Sequence, residues 1–350
     1  MSEEPEVITR IEGKVGRITL NRPKALHALN LGMCEAMIAA LQAWRKDPAV
    51  SLVMIDHAGE RGFCAGGDIR MLAESGAKDG KEAMAFFHTE YRLNHLLFVY
   101  EKPVVAVMDG IVMGGGVGLS MPCAYRIATE RTTFAMPETG IGLFPDVGGG
   151  WFLPRLPGKT GLWLALTGAR IKAADCLILG IATDYVQSTE VEALKAAIIA
   201  DPADIEGVLA QIDADPGHAP LADNLAVLSD TFAMTSVEGI VSALELQDGD
   251  WAKAQLETLK TKSPQTMKVA FRQLKLGARM DAFADNMAME YAIGARVVRK
   301  HDFLEGVRAV IVDKDNQPKW NPDRLDAVTE SMLDEIFAPL PADEAWTPLT

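Results

Sequence analysis

Short apolar runs rich in β-branched residues alternate with longer helical stripes through the first half of the chain, and only helical stripes remain in the second half. The runs 7–11 and 15–20 flank Glu12-Gly13-Lys14, two extended segments around a glycine turn, which predicts a β-hairpin. Asn21-Arg22-Pro23-Lys24 stops the second strand. Asn30 is a good N-cap for a following helix whose apolar positions Leu31, Cys34, Met37, Ile38, Leu41 and Trp44 form one stripe. Residues 52–55 and 104–108 are apolar runs suited to buried strands. Between them, residues 81–98 read as a helix with Phe86, Phe87, Leu93 and Leu97 on an inward face. Glu90 sits three or four residues from each neighbour on that stripe, so helical geometry turns a carboxylate toward the apolar side, where it must be paired or functional.

Residues 182–186 are the last plausible strand, and from about residue 190 helical segments dominate, among them 237–246, 251–260, 265–276 and 286–299, punctuated by Pro264 and Gly277. This division predicts an α/β core over residues 1–200 and a helical C-terminal region over 201–350. With neither a flexible linker nor a low-complexity tract between them, the two should pack together.

Composition narrows the picture. At 350 residues, 49% hydrophobic and 23% charged, the chain is an ordinary globular protein. Its formal net charge of −14 argues against nucleic acid as the main partner, since phosphate binding rests on clustered Lys and Arg; a small anionic ligand needs only a local basic patch. Cys34, Cys64, Cys123 and Cys176 stand far apart, without CxxC spacing, and the six histidines have no zinc-type spacing, so no metal is expected. The acidic start, residues 1–6, has no apolar signal core, and no apolar run is long enough to cross a bilayer. A soluble, cytoplasmic protein is expected.

Candidate chemistry lies between residues 63 and 150. The run 104–108 leads to Gly114-Gly115-Gly116, after which 117–121 can form the first turns of a helix. At such a junction the first N–H groups lack intrahelical partners, and glycine lets a ligand approach them. An acceptor that gains negative charge during a reaction is stabilised there. A lone glycine cluster also serves as a tight turn, but a second one, Phe63-Cys64-Ala65-Gly66-Gly67-Asp68-Ile69, directly follows the 52–55 run. Two junctions can supply two converging N–H groups, the minimum for an oxyanion hole. Downstream, Glu138 follows Pro137 and Asp146 follows Pro145. Two carboxylates in different environments can hold different protonation states at one pH, which suits paired acid and base roles. Cys64 has no paired His in a recognisable pattern, and burial rather than nucleophilic work is expected of it.

With AGGDI and MGGGVGL in the places of its two oxyanion-hole segments, the chain resembles the crotonase (enoyl-CoA hydratase/isomerase) superfamily. The likeness continues through FAMPETGIGLFPDVGGGWFLPRLPG, FFHTEYRLN and MEYAIGARVVRKHDFLEGVRAVIVDKDNQPKWNP, and is weakest over about residues 190–260. It implies an α/β fold, a crotonase-like spiral of strand-strand-helix units with a helical C-terminal region. It implies that the Gly67 and Gly115 N–H groups bind a thioester oxygen. Glu138, 23 positions after Gly115, stands where the superfamily keeps its catalytic carboxylate. Glu138 is then assigned the attack step, as general base or nucleophile, and Asp146 orients the acyl group or exchanges protons with the leaving sulfur. Glu90 is expected at the polar acyl end. Lys24 and Leu26 are expected at the adenine end of CoA, with Lys24 or Arg22 toward phosphate, and Ala65, Gly66, Gly67, Asp68 and Ile69 along its tail. Segments 303–309 and 313–320 would close the cleft or a subunit contact. CoA belongs to the substrate, so no separate cofactor is expected, and a trimer or pair of trimers is the expected assembly.

Hydratases of this superfamily carry a second catalytic Glu three residues past the oxyanion glycine, where this chain has Gly118. The resemblance therefore implies hydrolysis of a short 3-hydroxyacyl-CoA thioester, with 3-hydroxyisobutyryl-CoA from valine breakdown as the expected substrate. A hydratase or isomerase using Glu138 and Asp146 is the alternative. A non-catalytic acyl-CoA-binding protein would share both glycine junctions without needing the two carboxylates. A dinucleotide fingerprint starting at Gly114 would need glycine where Leu119 stands, so it fails, and no GKS or GKT phosphate loop occurs.

Overall fold

A computed structural model describes residues 4–349; of the acidic start, residues 1–3 lie outside it. The hairpin forms as β1 (Val7–Glu12) and β2 (Val15–Leu20), the one antiparallel pair between strands of the described residues. After the helix α1 (Leu31–Arg45), capped by Asn30 Oδ1 accepting from Met33 N at 2.9 Å, the chain alternates between two sheets. β3 (Leu52–His57), β5 (Val104–Met108), β7 (Tyr125–Ala128) and β9 (Asp184–Tyr185) join a six-stranded sheet of order β1-β2-β3-β5-β7-β9. β4 (Gly62–Cys64), β6 (Ile111–Met113) and β8 (Thr133–Ala135) form a small parallel sheet. β3, β5 and β7 of the large sheet are each followed by a step to the small one, with helical returns α2 (Ile69–Gly76) and α3 (Lys81–Phe98) after β4 and α4 (Gly115–Ser120) after β6. This is the spiral of strand-strand-helix units.

Parallel strands buried on both faces need continuous apolar sequence, and β3 and β5 supply it. Val53, Ile55, Val104, Ala106 and Met108 face the main core with α1 and α3. The alternate residues Leu52, Met54, Val105 and Val107 face helices Val191–Ala200 and Ile205–Ile212, which cover the outer side. β3 runs past the expected 52–55 because pairing with β2 continues to Leu20↔His57 and because Asp56, fully buried, is neutralised by Arg17 at 2.6 Å and Lys195 at 3.0 Å. β9 is only two residues long, against the expected 182–186, since it pairs with β7 only at Ile127 and Ala128.

No strand follows Tyr185 among the described residues, and helices Pro264–Gly277, Phe283–Val297 and His301–Val307 pack back on the first half. One apolar cluster runs from Val7 through Phe86, Phe144 and Leu164 to Met287 and Trp346, so both halves of the chain build the same core.

Candidate active site

The two glycine junctions meet. α4 begins at Gly115, two residues earlier than the sequence pattern suggests, so Gly114 is its N-cap with φ 47° and Gly115 its first residue. A first helical residue has no intrahelical acceptor, which leaves the Gly115 N–H available. Upstream, β4 ends at Cys64, and Ala65 to Asp68 cross over Leu29, which donates its N–H to Gly66 O at 2.7 Å. Contact between the junctions demands glycine: a methyl on Gly116 would lie 2.4 Å from Cys64 O, and one on Gly114 3.2 Å from Gly66 Cα and 3.4 Å from Glu138 Oε1.

A cavity of about 70 Å³ opens at this contact. Ala65, Gly66, Gly67, Ile69, Gly115, Glu90, Glu138 and Asp146 all border it, with Phe86, Phe87, Leu143 and Val147 as apolar walls. A larger groove of about 570 Å³ lies elsewhere, beside Leu153, Phe232 and Phe271, and no carboxylate borders it. The smaller cavity is the one that both glycine junctions and the expected carboxyls border together.

Three buried carboxyls share that space. Glu138 opens a short 3-10 turn (Glu138–Ile141) fixed from the C-terminal region: Ser263 N donates to Thr139 O at 3.1 Å, and Gly142 and Gly306 lie against the helix His301–Val307 and Ile141 without room for a side chain. Segment 303–309 thus supports the turn rather than closing the cavity. Glu138 Oε2 has no hydrogen-bond partner, and burial first, then the nearby Asp146 carboxyl, pushes its pKa well above the ordinary glutamate range. Glu90 is buried on the inward face of α3, no cation among the described residues pairs with it, and its Oε1 is also unpartnered there; burial and Asp146 raise it likewise. Asp146 accepts from the Tyr91 hydroxyl at 2.8 Å. Burial raises it to about 6, with the Tyr91 bond pulling the other way. Burial pushes all three toward the protonated form, and the Tyr91 hydroxyl gives Asp146 a bond that favours its ionised form.

The remaining candidates lie around the mouth. Lys24 is exposed on the turn Pro23–Ala25, and Leu26, in a left-handed conformation, accepts Ala65 N on its carbonyl at 3.0 Å, so this turn abuts the first junction without bordering the cavity. Asp68 caps α2 by accepting Met71 N at 3.3 Å and pairs with Arg22 at 3.2 Å. Arg22 also pairs with Glu6 at 3.1 Å. Both Arg22 and Asp68 are therefore paired within the protein, and of the two cations considered for phosphate Lys24 has no ion pair among the described residues. Cys64 is buried, its Sγ donates to His27 O at 3.2 Å, and burial lifts its thiol to about 12, so it is no nucleophile.

Two features escaped the sequence. Tyr91, fully buried, was overshadowed by Glu90 although it sits on the same stripe. Glu290, on helix Phe283–Val297, accepts Gly148 N and Gly150 N at 2.8 Å each, directly behind Asp146. It falls in register with Phe283, Met287 and Val297, so the geometric test that singled out Glu90 would have found it. At Gly118 the structure leaves no space: a methyl there would meet Asn94 Nδ2 at 2.6 Å and Val147 Cβ at 2.7 Å.

Comparison with known proteins follows the same lines. The family profile described as enoyl-CoA hydratase/isomerase matches residues 15–337. A Danio rerio protein named 3-hydroxyisobutyryl-CoA hydrolase, mitochondrial, is 47% identical over 96% of this chain and 90% of its own length. The Homo sapiens protein of the same name is 43% identical over 96% of this chain and 89% of its own. Among solved structures, one described as a carnitinyl-CoA dehydratase from Mycobacterium thermoresistibile superposes with a TM-score of 0.93 at 40% identity, covering 97% of this chain and 98% of the other. Another, described as an enoyl-CoA hydratase from Rhodobacter sphaeroides 2.4.1, gives 0.90 at 37% identity, covering 98% and 100%.

Proposed function

The chain belongs to the enoyl-CoA hydratase/isomerase family, and from that premise we propose that it is an acyl-CoA thioester hydrolase, converting 3-hydroxyisobutyryl-CoA and water to 3-hydroxyisobutyrate and CoA in valine breakdown. The observation that carries the choice within the family is at Gly118. The place of the second hydratase glutamate is filled by Asn94 and Val147, while Glu138 and Asp146 border the cavity where the glycine junctions meet.

In this reading the Gly67 and Gly115 N–H groups hold the thioester oxygen as it gains charge, a contribution of about 100- to 1,000-fold per donor. Glu138, once ionised, takes a proton from water as the water oxygen bonds to the carbonyl carbon; adding directly to that carbon is the other form of the same step. The C–S bond then breaks, and the sulfur takes the proton back through the Glu138 and Asp146 pair. Glu90, held protonated by burial, can both donate to and accept from the substrate hydroxyl. Lys24, Leu26, Ala65, Gly66, Asp68 and Ile69 are assigned to the CoA path, Asp68 through its place at the start of α2. The step needs only groups present in the chain, so no cofactor is assigned, and dialysis against a chelator should leave turnover intact.

Hydration of an enoyl-CoA is the second reading, favoured by the descriptions of the two solved structures. One assay separates them: purified protein with 3-hydroxyisobutyryl-CoA and a thiol reagent, beside a short enoyl-CoA. Free thiol from the first is expected; loss of enoyl absorbance without thiol release overturns the proposal. Glu138→Gln should abolish thiol release while the fold is kept, and unchanged release would remove Glu138 from the attack step.

No helix of the described residues is long and apolar enough to cross a membrane. A cytoplasmic location stays part of the proposal; the relatives are named mitochondrial, and fractionation decides. A trimer or pair of trimers is likewise proposed, to be read by sedimentation.

A further inference from the structure

The loop that carries Asp146 is held in a costly conformation by groups that never reach the cavity. Val147 has φ 51° and Gly148 φ 94°. A β-branched residue in the left-handed region persists only where the surroundings over-determine it. Here they do. Gln273, on helix Pro264–Gly277, donates from Nε2 to Pro145 O at 2.7 Å, one residue before Asp146. Glu290 accepts Gly148 N on Oε2 and Gly150 N on Oε1, two and four residues after it. Asn286 Nδ2 at 2.9 Å and Gln273 Nε2 at 3.1 Å also donate to Glu290 Oε1. All three side chains are buried.

The fit is close enough to dictate sequence. A methyl on Gly150 would lie 2.6 Å from Asn286 Oδ1 and 3.0 Å from both Gln273 Nε2 and Glu290 Oε1. One on Gly277 would lie 2.0 Å from Gly150 O. Every partner of Glu290 is a donor, the arrangement that suits an ionised carboxylate, which accepts only. Burial works against the ionised form, raising the group to about 8, while the bonds from Gly148, Gly150 and Asn286 pull the other way, so the clamp's own donors are what favour the carboxylate.

We propose that Glu290 is a positioning residue for the reaction: its carboxylate fixes the backbone on the far side of Asp146 while Gln273 fixes the near side, so that the Asp146 carboxyl is held between the Tyr91 hydroxyl and the cavity. The proposal rests on the reading of Asp146 as a group that acts on the substrate. Displacement of a reacting group by about 1 Å costs on the order of 100-fold in rate, so a clamp of this kind is felt in kcat and little in KM.

The test is a double-mutant cycle on thiol release, using full-length protein. Glu290→Gln keeps the shape but can accept only one of the two backbone N–H groups. It should lower kcat by about 10- to 100-fold with KM within about threefold of wild type. In an Asp146→Asn background, itself slowed, the same change should cost almost nothing further, because the group it positions is gone. Equal fold-losses in both backgrounds, or wild-type kcat for Glu290→Gln, would overturn the clamp while leaving the role of Asp146 standing. Wild-type turnover in Asp146→Asn alone would show that the reading of Asp146 had failed, and the clamp falls with it. Should Glu290→Gln not fold, Gln273→Leu releases the Pro145 side. It should lower kcat by a smaller factor that again vanishes in the Asp146→Asn background, and a loss that persists there overturns the proposal.

Discussion

Asp146 illustrates how a reactive side chain works against stability. Its pKa rises on folding from the ordinary 3.8 to about 6, so the folded protein binds this proton more tightly than the unfolded chain does. The contribution to stability is therefore complete below about pH 4 and is lost as pH climbs through 6. Asp146→Asn, which keeps an oxygen for the Tyr91 hydroxyl, should resist urea better than wild type at pH 8, by up to about 3 kcal/mol, with the gain shrinking toward pH 5. Equal urea midpoints for the two proteins at pH 8 would contradict that ordering. Position 146 was legible in the sequence as a carboxylate after Pro145, and Glu90 as a charge on an apolar stripe, because both follow from local chemistry and helical period. Tyr91 and Glu290 were not, since nothing local says that an aromatic on α3 will bond Asp146 or that a carboxylate 144 residues later will bond the backbone that follows it.

Among elements, the contact between the β4 end and α4 decides the geometry of the site. Both segments were readable as glycine-rich junctions, but the start of α4 was misplaced by two residues because glycine is a poor helix former whose helical state here is imposed by packing. Gly116 is where that packing is closest. Gly116→Ala would push its methyl into Cys64 O at 2.4 Å and part the two junctions. Thiol release should fall by about 100-fold or more, with a stability loss of about 1–3 kcal/mol from overpacking. Retention of full activity would mean that the spacing of the junctions does not set the hole. The three-residue strands β4, β6 and β8 are too short to show a period, and they exist because each lies beside the next in the small sheet.

At the scale of the whole molecule, the C-terminal helices complete the site from behind. Ser263 holds the Glu138 turn, Gln273 and Glu290 hold the Asp146 loop, and Met267, Phe283, Met287 and Phe303 fill the core that the first half begins. A chain ending at residue 200 should therefore lack near-UV circular dichroism and release no thiol; a cooperative, folded fragment by urea titration would contradict this view of one shared core. By itself the sequence determined the hairpin, the buried strands, the helical second half, the two glycine junctions and the pair of carboxylates, all of which depend on periodicity and residue chemistry within a few positions. Only the tertiary structure decided how long each strand runs, which carboxyl receives a buried hydroxyl, why Gly118 admits no glutamate and what holds Asp146 in place. Those are set by burial and by partners far apart in the chain, and a linear pattern does not carry distance.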